Sequence, residues 1–110
     1  MDNKKKKQAT VLNSRQKKYL KGLAHHLDGL IFIGKEGLSE AVISATEQEL
    51  LRHELIKVKI GNNSDADKHI VAERLPAATS SALVQLIGKT VILYRPNPKL
   101  DTEKRIKLPK

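Results

Sequence analysis

Two short apolar runs flank one helix-length segment, and this arrangement constrains the fold more than any other feature. Leu30-Ile31-Phe32-Ile33 is a continuous apolar run, the mark of a buried strand, and it stops at Gly34. Leu55-Ile56-Lys57-Val58-Lys59-Ile60 alternates with period two, so Ile56, Val58 and Ile60 face one way and Lys57 and Lys59 the other. Between the two runs, from about Leu38 to His53, the residues Val42, Ile43, Thr46, Leu50 and His53 share one helical stripe. His53 lies on the core-facing edge of that helix in this reading. Such a β-α-β unit imposes parallel pairing and a right-handed crossover.

The flanking sequence completes the pattern. Ser14 can cap a first helix whose Leu20, Leu23, Ala24 and Leu27 fall on one face, with Lys17, Lys18 and Lys21 directed away and Asp28-Gly29 as its end. After the turn at Gly61-Asn62-Asn63, Ser64 is an N-cap candidate, and Asp65 and Asp67 suit the first turn of a third helix. That helix should run to about Arg74 or a little beyond, with Pro76 stopping or kinking it. Leu83–Ile87 and Thr90–Arg95 read as strands joined by Gly88-Lys89, a Gly-X pair suited to a type II′ turn. The predicted fold is a compact α/β domain in the order α-β-α-β-α-β-β, with a four-stranded mixed sheet packed with helices. Lys57 and Lys59 argue that part of one sheet face is open. At 110 residues there is room for one domain. Residues 14–96 would form it, with 1–13 a flexible basic tail and 97–110 a second basic tail, extended because of Pro96, Pro98 and Pro109.

Charge points to the partner. The formal net charge is +9. Residues 1–21 carry +7, residues 22–94 carry −2 and residues 95–110 carry +4, so the ends hold the excess. The Lys4–Lys7 run is its densest part. A basic surface of this kind favours polyanions, nucleic acid before membrane. No run of ~20 apolar residues, signal-peptide core or lipidation signal is present, which suggests a cytoplasmic protein without a membrane partner.

Catalytic constellations are missing from the sequence. The chain has no Cys, which excludes a disulfide framework, a thiol nucleophile and a Cys-based zinc site. The histidines His25, His26, His53 and His69 include no i, i+4 pair for metal binding, and neither a nucleophile elbow nor a Walker loop occurs. The expectation is a protein that is not an enzyme and needs no cofactor or metal.

The sharpest motif is Gly34-Lys35-Glu36-Gly37, placed after a strand and at the start of a helix. Its glycines permit a tight turn and close approach of a phosphate, the helix start favours an anion, and Lys35 adds a charge. Glu36 must point away from any anion bound there. A plain strand-to-helix turn has the same pattern. KH domains clamp a nucleic-acid backbone with a similar loop, but theirs joins two helices.

Four segments taken together resemble one family: Leu20-Lys21-Gly22-Leu23-Ala24-His25, Ile33-Gly34-Lys35-Glu36-Gly37-Leu38, His53-Glu54-Leu55-Ile56-Lys57-Val58-Lys59, and Val84 through Arg95 with its Ile87-Gly88-Lys89-Thr90 and Leu93-Tyr94-Arg95. The likeness, over about residues 14–96, is to the YhbY-type bacterial stand-alone CRM domain, named for chloroplast RNA splicing and ribosome maturation. It implies a fold similar to the C-terminal domain of translation initiation factor three. It also implies RNA binding without catalysis, association with precursors of the large ribosomal subunit, and RNA contact through Gly34, Lys35, Glu36 and Gly37. Pro76 departs from the family pattern, and the two tails lie outside it.

Further backbone contacts are expected from Lys17, Lys18 and Lys21 on the first helix and from Lys57, Lys59 and Arg95 on or beside the sheet. Of the three aromatics, Tyr19, Phe32 and Tyr94, Phe32 reads as core. Three are too few for a base-stacking platform of the RRM kind, so the protein should read RNA shape and backbone more than base sequence. A monomer is expected. The rival reading is a protein–protein adaptor on a ribosome-associated factor, with only nonspecific attraction of RNA to its tails.

Overall fold

The structure, a computed structural model, describes residues 11–27 and 31–110. The Lys4–Lys7 run, the Asp28-Gly29 helix end and Leu30 lie outside them. The elements are α1 (Ser14–Ala24), β1 (Ile31–Ile33), α2 (Glu40–His53), β2 (Leu55–Ile60), α3 (Lys68–Thr79), β3 (Ala82–Ile87) and β4 (Thr90–Tyr94), with a short 3₁₀ turn at Thr102–Lys104. The order and the four-stranded mixed sheet are those predicted. The strands lie in the order β1-β2-β4-β3, with β1 parallel to β2 and β4 antiparallel to both β2 and β3.

Polar side chains set where each helix begins. The cap of α1 is Asn13, one residue before the expected Ser14. Asn13 Oδ1 accepts from the Gln16 amide at 2.8 Å while Gln16 Oε1 accepts from the Asn13 amide, a reciprocal capping box. Ser39 Oγ accepts from the Val42 amide, so α2 starts at Glu40 rather than Leu38. Asp67 caps α3 by accepting from the amides of His69 and Ile70, whereas Ser64 closes the preceding turn onto the Ala66 amide.

Pro76 does not end α3. The helix runs through it to Thr79, five residues beyond Arg74. Proline removes one N–H from the ladder, but Val71, Ala72, Leu75, Pro76 and Thr79 are all buried here, and that burial outweighs the missing bond. The end is then closed by Ser80, in a left-handed conformation, with the Ser80 and Ser81 amides donating to the Pro76 carbonyl.

Helices α2 and α3 pack on one face of the sheet. Ile31, Ile33, Ile56, Val58, Ile60, Val91 and Leu93 meet Leu50, Val71, Ala72 and Leu75 there, and the expected alternation of β2 holds. Helix α1 packs on the other face, where Leu20 and Ala24 meet Leu55, Val84, Ile92 and Tyr94. Two apolar expectations fail. Phe32 is not core but 62% exposed, because alternation within β1 turns Ile31 and Ile33 inward and Phe32 out. The side chain of His53 is half-exposed at the last turn of α2, 3.4 Å from Glu49, because α2 ends there and buries only Thr46 and Leu50 fully.

The C-terminal segment is not a free tail. Ile106 and Leu108 pack against the α1 cluster. The anchor is Glu54, fully buried and in a positive-φ conformation at the end of α2. Its two carboxylate oxygens accept from the amides of Asn97 and Ile106, each at 2.6 Å, and its carbonyl accepts from the Arg95 amide. Gln16 of α1 donates to the Pro109 carbonyl, adding a second tie.

Candidate nucleic-acid interface

The Gly34–Gly37 loop leaves β1 and enters α2. The Gly37 amide donates to the Gly34 carbonyl at 3.0 Å, closing a turn, and Gly37 has φ +68°, where a side chain would be strained. Gly34 is different in having no positive φ; at both glycines no heavy atom lies within 4 Å of where a Cβ would stand. Lys35 and Glu36 are exposed at the tip. The loop borders a cleft of about 400 Å³ whose other walls are Ser39, Ala41, Val42 and Asn63. Its root is fixed, because the Ile33 carbonyl accepts from the Gly61 amide, and a Cβ on Gly61 would stand 2.9 Å from Asn63 Oδ1.

The lysines divide by register. Lys59 pairs with Phe32 on one side and Thr90 on the other, and Thr90 pairs with Ile87. These four form one row across the sheet, on the α1 face and at the loop end. Lys57 stands beside the row and lines a cleft of about 200 Å³ with Lys21, His25, Gln85, Ile87 and Thr90. Lys21, Lys57, Lys59 and the loop therefore share one end of the molecule. Arg95 follows β4 at the opposite end, about 17 Å away by strand rise. Its guanidinium donates to the Thr79 carbonyl at 3.2 Å and ties β4 to the end of α3. Lys17 is placed with Glu73, Pro76 and Leu83, over the α3–β3 edge, and Lys18 is exposed on α1.

Electrostatics on the sheet are one-signed: the four strands contain Lys57 and Lys59 and no acidic residue. Among the described residues, no group of three or more His, Asp or Glu could hold a metal, and no helix is long and apolar enough to cross a membrane. Sequence reasoning missed Phe32 and the surroundings of the smaller cleft, His25, Gln85 and Thr90. The alternation that sorted β2 would have found Phe32 if applied inside the apolar run.

The model of the CRS1 / YhbY (CRM) domain matches residues 12–95, which takes in the loop, the lysine cluster and all four strands. The chain belongs to the CRM domain family. Two CRM relatives align along nearly their whole length. An RNA-binding protein of Haemophilus influenzae is 41% identical over 101 residues, covering 92% of this chain and 98% of its own. The Bacillus subtilis protein named "Probable RNA-binding protein YqeI" is 38% identical over 99 residues, 90% of this chain and 100% of its own. The solution structure of SAV1595 from Staphylococcus aureus is similar with a TM-score of 0.72 and 44% identity, covering 90% of this chain and all of that one.

Proposed function

We propose that this CRM protein is a non-catalytic RNA-binding protein that binds ribosomal RNA in precursors of the large ribosomal subunit, in the cytoplasm and as a monomer. The observation that carries the reading is the Gly34–Gly37 loop, held by a positive-φ glycine at the start of α2, with Lys21, Lys57 and Lys59 at the same end of the sheet. Backbone N–H groups at a helix start and nearby ammonium groups both suit phosphate. The names of the relatives support RNA as the partner. The ribosomal assignment rests on the resemblance of the motifs to stand-alone bacterial CRM proteins.

The test is binding to protein-free structured ribosomal RNA across a salt series. The logarithm of affinity should fall linearly with that of salt, by about 0.7–0.9 per phosphate contacted. Gly34→Asp should weaken binding at least tenfold with an unchanged melting temperature, since the new side chain meets open space. Gly37→Asp is the poorer probe, because φ +68° adds strain to the change in charge. Binding that is flat with salt and indifferent to Gly34→Asp would sink the proposal. Co-sedimentation of the full chain with large-subunit precursors, rather than mature ribosomes, tests the finer assignment.

A further inference from the structure

The loop and the lysines account for contacts with phosphate, but they leave one feature unused. Phe32 and Ile87 are 62% and 55% exposed at the two ends of the four-residue row, with Lys59 and Thr90 between them. Helix α1 covers the Leu55–Tyr94 end of this face, and its last turn reaches the cleft beside Ile87 and Thr90 without covering Phe32 or Ile87. A large ring left in water on an edge strand buries nothing that would stabilise the fold, and a lysine beside it gives the patch a definite chemistry.

We propose that this uncovered half of the sheet binds an unpaired nucleotide of the RNA, its base stacked on Phe32 and its phosphates held by Lys59 and Lys57. The inference rests on the RNA-binding reading above and adds the state of the RNA recognised: a bulged or single-stranded position rather than continuous duplex. Charge selects the occupant, because the strands present lysines and no carboxylate to this face. Shape selects it too. A base in a duplex already has both faces stacked, so only an unpaired base can offer one to a lone aromatic ring.

Position links the patch to the loop. Phe32 lies in β1 two residues before Gly34, which follows the strand's end, about 7 Å away at roughly 3.3 Å per residue. A chain seated by its phosphate at the loop can therefore place a neighbouring base on the ring. The cleft beside the row adds Gln85, Thr90 and His25, groups that can donate to or accept from a base edge. A single stacking ring also fits a chain so poor in aromatics, where an RRM-like platform of several rings cannot form.

The experiment compares two RNA probes, a blunt two-stranded duplex and the same duplex with one bulged adenosine, against the full chain and its variants. Phe32→Ala should lower affinity for the bulged probe by about 5- to 150-fold, the range that base–aromatic stacking supports. It should leave affinity for the fully paired duplex and the melting temperature unchanged. Phe32→Tyr should restore bulge binding, and ultraviolet crosslinking should attach the bulged base to the peptide containing Phe32. Equal binding of the bulged probe by wild type and Phe32→Ala, while Gly34→Asp still weakens both probes, would overturn this inference and leave the RNA-binding reading standing. Failure of the wild type to bind either probe would overturn both. A dimer in solution that Phe32→Ala dissolves would assign the patch to a second copy of the chain and would also overturn the inference.

Discussion

One face of the sheet is sealed and the other is covered over only half its area. Two helices lie on the first, and Ile33, Ile56, Val58, Val91 and Leu93 beneath them are fully buried. One helix of 11 residues lies on the second, helped by Ile106 and Leu108 from the C-terminal segment. The difference follows from where the helices lie along the strands. On the second face Leu20 and Ala24 of α1 pack toward the Leu55–Tyr94 end, and the Phe32–Lys59–Thr90–Ile87 row lies at the other. The sealed face holds the fold together, and the open half of the other is available for a partner.

Deletions on the two faces should therefore differ most in stability. Leu93→Ala on the sealed face should cost about 2–5 kcal/mol, read as a lower denaturant midpoint at unchanged slope. Phe32→Ala removes a larger side chain yet should cost no more than about 0.5 kcal/mol, as for a surface position. Comparable losses in the two variants would break the comparison, because Phe32 would then be packed in solution.

The half-cover itself depends on Glu54. Both carboxylate oxygens are used by amides 43 and 52 residues away, and the residue accepts positive φ to place them. Glu54→Ala would leave two amides without their partner and should cost on the order of 3 kcal/mol. Glu54→Gln keeps one acceptor and should lose about half as much. The diagnostic readout is hydrogen exchange. Asn97 and Ile106 amides should lose protection in Glu54→Gln before the amides of β2 do. If all amides lose protection together, the C-terminal segment is part of the cooperative body and not a separable cover.

These contrasts also mark what was legible in the chain. Ile56, Val58 and Ile60 announce the sealed face because alternation persists over six residues. The Gly88-Lys89 turn is legible as well: φ is positive at Gly88 and not at Lys89, as a type II′ turn requires. The position of the Gly34–Gly37 loop, between strand and helix, followed from the same periodicities. Phe32 was hidden because β1 is only three residues long and an apolar run masks alternation. Pro76 misled because a local rule about backbone N–H groups gave way to burial supplied by the sheet. The packed C-terminal segment was least legible of all. Its contacts run to Glu54 and Gln16, and nothing in its own periodicity points to either.

The smallest expected effects separate the helices that make the two covers. Helix α1, on the half-covered face, is capped by a neutral amide, Asn13. Helix α3, on the sealed face, is capped by a carboxylate, Asp67. The amides of His69 and Ile70 donating to Asp67 hold its pKa below the ordinary carboxylate value. A lowered pKa in the folded state means that this cap's stabilisation is present above the unfolded value, about 4, and is lost as the pH falls through the folded one. Asn13 does not titrate, so Asn13→Ala should cost about 1 kcal/mol, the same at pH 7 and pH 2.5. Asp67→Ala should be destabilising at pH 7, and its deficit relative to wild type should shrink as the solution is acidified. Denaturant midpoints for both variants and the wild type, taken from pH 7 down to pH 2, read the two behaviours side by side. A deficit in Asp67→Ala that is independent of pH would mean that geometry alone carries the α3 cap, and the two covers would then be held at their starts in the same way.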